Sequence, residues 1–104
     1  MKTRIPIPRE EVEKFCRKWR ITEFSLFGSV LRDDFREDSD VDVLVTFAAD
    51  THWTLFDLVH MEDELKVVFG RKVDLVIRES VERSENPIRR KAILSTAQRI
   101  YAAG

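Results

Sequence analysis

The stretch SDVDVLVTF, residues 39–47, sets Asp40 and Asp42 two apart where the chain turns apolar. Residues two apart on an extended chain point the same way, with Cα atoms roughly 6–7 Å apart. Such carboxylates converge on a common ion, and a divalent cation offsets their mutual repulsion. Asp74 is a third candidate, the lone acid in the run KVDLVI at residues 72–77. If the two runs are neighbouring strands, three carboxylates meet on one sheet face. Oxygen-only donors of this kind suit Mg²⁺ or Mn²⁺. Two such ions, about 3.5–4 Å apart, clamp the attacking and leaving oxygens of a phosphoryl-type displacement.

Gly28 and Ser29 supply a phosphate grip. A glycine at a strand end lets backbone approach a phosphate closely. Ser29 then offers its hydroxyl and N–H at the start of a helix, where anions are favoured. Arg32, one turn on, can pair with phosphate oxygens. Two rival motifs fail. Asp38, Asp40 and Asp42 match the first alternate positions of an EF-hand loop, but Val43 stands at its glycine and Ala49 at its bidentate acid. No Gly-Lys-Ser/Thr follows, so there is no P-loop. His52 and His60 lack metal-like spacing and read as surface or structural residues. Arg83, Arg89, Arg90 and Lys91 read first as a solvated helix entry, and second as a contact for an acidic partner or a triphosphate.

Local pattern predicts the elements that position these groups. Met1 to Ile7 are expected to be extended, because Pro6 and Pro8 disfavour helix before them. Helix is expected over Pro8 to Trp19, where Val12, Phe15, Cys16 and Trp19 keep helical spacing and Glu10, Glu11 and Glu13 suit the positive N-terminal end. ITEFSLF alternates and reads as the first strand, followed by a short helix over Val30 to Phe35. Within DVDVLVTF, Val41, Val43, Val45 and Phe47 share one face, and Asp40, Asp42, Leu44 and Thr46 the other. Thr54 or Thr51 caps a helix running to Phe69, with Leu55, Leu58, Met61 or Glu62, Leu65, Val68 and Phe69 as its apolar stripe and Gly70 as its stop. RKVDLVI is the third strand and ESVERSEN a loop. Asn86 caps a last helix, with Pro87 at its first position and Ile88, Ala92, Leu94 or Ile93, Ala97, Ile100 and Tyr101 as its buried side.

The chain has 104 residues and a formal net charge of −1, which fits one domain (residues 1–104) and offers no basic footprint for nucleic acid. A chain this short has no room for a large acceptor site, so a partner is expected to supply the rest. Cys16 is the sole cysteine, which excludes an intrachain disulfide and suggests a reduced, buried thiol. The N-terminus lacks the apolar run of a secretory signal, and no stretch approaches the roughly 20 apolar residues of a membrane span. The expected location is cytoplasmic. Helices alternating with strands over one small sheet give an α+β architecture, a small mixed sheet flanked by helices.

LFGSVLRDDFREDSDVDVLV resembles the Gly-Ser…Ser-Asp-x-Asp signature of the DNA polymerase β-like nucleotidyltransferases. FGRKVDLV and the short chain are similar to the minimal nucleotidyltransferase (MNT) branch of that superfamily. The resemblance implies that Gly28, Ser29, Arg32 and Ser39 bind the nucleotide. It implies that Asp40, Asp42 and Asp74 are metal-binding and catalytic, with two Mg²⁺ ions, or Mn²⁺, as cofactor. Asp33 stands where the family usually has a small residue. The implied activity is transfer of AMP from ATP to a hydroxyl, a tyrosine above all, on a small helical HEPN-type toxin whose antitoxin this chain would be. Homo- and hetero-oligomers both stay open, as do a non-catalytic antitoxin and a nucleotidyltransferase acting on a small molecule.

Overall fold

A computed structural model of the chain describes residues 7–28 and 40–103. The elements run α1 (Arg9–Lys18), β1 (Ile21–Phe27), β2 (Val41–Phe47), α2 (Leu55–Phe69), β3 (Val73–Ile77), α3 (Arg78–Glu82), α4 (Pro87–Thr96) and β4 (Gln98–Ala102). The four strands form one mixed sheet in the order β3-β2-β1-β4. β1 pairs antiparallel with β2 and β4, and β2 pairs parallel with β3. This is the α+β arrangement expected. The segments anticipated as extended over residues 1–6 and helical over 30–35 lie outside the described residues.

Two apolar layers follow from the alternation of the strands. Val41, Val43 and Val45 point to one face with Phe24 and Leu26, where Val12, Phe15 and Cys16 of α1 and Met61 and Leu65 of α2 cover them. Phe27 and Leu44 point to the other, under Val81 of α3 and Ile93 of α4. Cys16 is a free, fully buried thiol, and burial, with Glu13 adding to it, pushes its pKa up to about 12. It is therefore neutral and unreactive at ordinary pH, a packing residue.

α2 begins and ends as its sequence demands. Thr54 is the cap: its N–H donates to Asp57 Oδ2 at 2.8 Å, and its hydroxyl oxygen accepts from the Asp57 N–H at 3.2 Å. Thr51 instead donates to the Ala48 carbonyl. Gly70 closes the helix at φ 69°. Met61 points into the core, while Glu62 accepts the Leu75 N–H at 2.9 Å and so covers the outer edge of β3.

Three expectations need correction. Leu55 is not part of the buried stripe; at the first position of α2, beside the Thr54 cap, it is 80% exposed, as is its neighbour Phe56 at 82%. ESVERSEN is not all loop: Arg78–Glu82 form α3, held by the Arg83–Glu79 ion pair at 2.6 Å and by buried Val81. The last helix stops at Thr96, and Ile88 in its first turn is 82% exposed rather than buried. The hydroxyls of Ser95 and Thr96 donate back to the carbonyls of Lys91 and Ala92, and Ala97 leaves the helical region. Gln98–Ala102 then pair with β1, which would otherwise present an open edge. Among the described residues no helix is long and apolar enough to cross a membrane.

Candidate active site

Register assembles the site. The Val41 N–H donates to the Lys72 carbonyl at 2.9 Å, which starts the β2–β3 ladder in phase. Asp42 then stands directly opposite Asp74, and on its other side opposite Phe27. Neighbouring strands lie about 4.8 Å apart, so the two carboxylates leave the sheet side by side. They leave on the face of Leu44 and Val76, two residues further along each strand. Asp40, half-buried, immediately precedes β2 and shares that face by the same alternation.

Gly28 ends β1 at φ +74°, and a Cβ there would run into Oδ2 of Asp42. Only glycine satisfies both demands at once. Gly28→Ala is expected to displace the Asp42 carboxylate and to add backbone strain of about 1–2 kcal/mol. A lowered melting temperature and a loss of nucleotide affinity, read by calorimetry with a non-hydrolysable ATP analogue, would check this.

The carboxylates open on a cleft of about 380 Å³ lined by Phe27, Gly28, Asp42 and Asp74 from the sheet, and by Arg89, Ala92, Ile93 and Thr96 from α4. Those α4 residues are spaced i, i+3, i+4, i+7, one face of the helix. A second cavity of about 380 Å³ lies at the far end of β2, beside His52 and Trp53; among the described residues that line it the one carboxylate is Glu79, which pairs with Arg83. His52 and His60 are both exposed, in keeping with a surface role.

The donor set suits a hard divalent cation in type and in register, since all its members are carboxylate oxygens. Among the described residues the side chains of three or more His, Cys, Asp or Glu are not gathered into a metal-holding group. Asp74 is exposed and lies next to Asp42 in the ladder. Ser29, Arg32 and Ser39 lie outside the described residues. Of the basic cluster, Arg83 is held by Glu79, Arg90 donates to the Ser84 carbonyl at 2.6 Å, and Arg89 faces the cleft. Sequence alone could not separate these three, because which of them meets the cleft depends on how α3 and α4 are docked on the sheet.

Paired carboxylates on neighbouring strands, a glycine pressed against one of them and a flanking helix thus stand together on one face of the mixed sheet. Residues 9–100 match the nucleotidyltransferase domain family. The chain belongs to that family, as a nucleotidyltransferase of its minimal, MNT branch. A Methanocaldococcus jannaschii relative assigned as a protein adenylyltransferase is 36% identical over 87 residues, 84% of each chain. A solved structure assigned as a minimal nucleotidyltransferase is 33% identical, with a TM-score of 0.66 over 86% of each chain. Two toxin–antitoxin complexes share the fold. One, crystallised with AMP-PNP, has a TM-score of 0.70 at 21% identity, over 92% of this chain and 74% of that one. The other joins a tri-AMPylated Shewanella oneidensis HEPN toxin to its MNT antitoxin, with a TM-score of 0.62 at 22% identity, over 91% of this chain and 70% of that one.

Proposed function

We propose that the chain moves AMP from ATP to a tyrosine hydroxyl of a small helical HEPN-type toxin, and is thereby that toxin's antitoxin. The observation that carries the reading is the direct pairing of Asp42 with Asp74 on a cleft floored by Gly28. Pure binding has no use for two like charges set side by side, which destabilise a sheet. The naming of relatives as protein adenylyltransferases, and an AMPylated HEPN toxin bound to an MNT antitoxin, support the substrate and partner.

Asp40, Asp42 and Asp74 would hold Mg²⁺, with Mn²⁺ as a substitute. Bound there, the metal supplies charge neutralisation to the triphosphate. Gly28 and Ser29 seat the phosphates, with Arg32 and Ser39 assisting. The tyrosine oxygen bonds to the α-phosphorus as the bond from that phosphorus to the α–β bridging oxygen breaks. The tyrosine proton passes to Asp74, and pyrophosphate leaves. The cytoplasm, where ATP, Mg²⁺ and such a toxin meet, is the compartment this reading requires.

The test is to incubate the chain with the small helical protein encoded beside it, ATP and Mg²⁺, and to weigh both. A gain of AMP units on the partner, mapped to tyrosine and lost with EDTA, is the expected result. Neutralisation of the toxin with no gain in mass would make the chain an antitoxin by contact alone.

A further inference from the structure

We propose that Arg89 grips the β- and γ-phosphates of the nucleoside triphosphate, the part that departs as pyrophosphate. The inference rests on the nucleotidyl-transfer reading and adds a residue to it. Three observations on α4 lead there. Arg89 lines the cleft across from Asp42 and Asp74, so a ligand between them meets carboxylates on one wall and a guanidinium on the other. Its guanidinium has no hydrogen-bond or ion-pair partner among the described residues, whereas Arg83 and Arg90 are each tied to one.

The third observation is electrostatic. The N-terminal end of a helix carries partial positive charge and favours acids. α1, α2 and α3 obey, with Glu10 and Glu11, Asp57, and Glu79 in their first turns. α4 has no acid there and instead runs Arg89, Arg90, Lys91. This concentrates positive charge where it is locally unfavourable, unless an anion is to be held. The helix amides cannot hold it themselves: Asn86 Oδ1 already accepts from the N–H groups of Ile88 and Arg89, at 3.2 and 3.1 Å, and Pro87 has none. The grip therefore falls to the side chain. Phosphate suits it, because the planar guanidinium binds two phosphate oxygens at once. The α-phosphate must stay beside the carboxylates for transfer, which leaves the outer two phosphates for Arg89.

Calorimetry with AMP-PNP and with AMP, both with Mg²⁺, separates the outer phosphates from the rest of the nucleotide. Arg89→Ala is expected to weaken AMP-PNP by roughly 10- to 100-fold, the loss of a charge-assisted hydrogen-bond pair, and to leave AMP within about twofold. Arg89→Lys should restore part of the loss. Arg83→Ala, which removes the same charge beyond the cleft, should change neither, and melting temperatures show that each variant folds. Equal weakening of both nucleotides, no weakening of either, or the same loss in Arg83→Ala would each overturn the assignment. If the unaltered chain binds neither nucleotide, the transferase reading itself fails, which is a separate result.

Discussion

Asp42→Asn is expected to abolish AMP transfer while leaving the fold in place. On the proposed mechanism Asp42 is the central ligand: it sits between Asp74 on β3 and Phe27 on β1, with Gly28 against its carboxylate. Asparagine keeps the shape, so packing against Phe27 and the register of β2 should persist. It removes the negative charge that attracts a cation. A metal's stabilisation of transition-state charge is worth several kcal/mol, and each 1.4 kcal/mol or so is tenfold in rate. The fall in transfer should be on the order of 10³-fold or more. Single-turnover AMP transfer and a thermal melt on the same sample check it. A melting point unchanged within a few degrees is expected. Full activity in Asp42→Asn would remove the metal from the mechanism.

Asp74→Asn should separate binding from chemistry. Asp40, Asp42 and Gly28 remain, so nucleotide affinity should change little. Transfer should fall by roughly 10²-fold or more, the scale of a lost general base. A purely structural Asp74 would be bound to a neighbouring arginine, and its loss would lower stability with activity falling only in proportion. The structure speaks against that alternative. Asp74 is exposed and makes no ion pair among the described residues, and the group it faces across the ladder is another acid. A charge so placed costs stability. The variant should therefore melt no lower than the parent, and a destabilised but catalytically normal protein would take Asp74 out of the site.

Much of this was legible in the chain itself, wherever the cause is local. The period of two in VDVLVTF dictates that Asp42 shares a face with Leu44, and that Val41, Val43 and Val45 fill the opposite core. Thr54 with Asp57 three residues on starts α2, and Gly70 ends it, because caps need only the residues beside them. Asn86-Pro87 opens α4 for the same reason. The carboxylates announced themselves as acids where apolar residues belong.

Other features have distant causes. Gln98–Ala102 became a strand because β1 had an open edge about 75 residues earlier in the chain, a demand no local window contains. α3 is too short for a period to reveal and stands on one buried contact, Val81, and its ion pairs. The pairing of Asp42 with Asp74 required a parallel ladder between segments separated by α2, with its phase set by the Val41–Lys72 hydrogen bond. Arg89 could not be told from Arg83 or Arg90 until α4 was laid against the second face of the sheet. The sequence by itself determined which groups could do chemistry, since residue type and spacing are local properties. Only the tertiary structure decided which of them meet, because strand order, register and helix docking are set by burial and edge pairing across the whole chain.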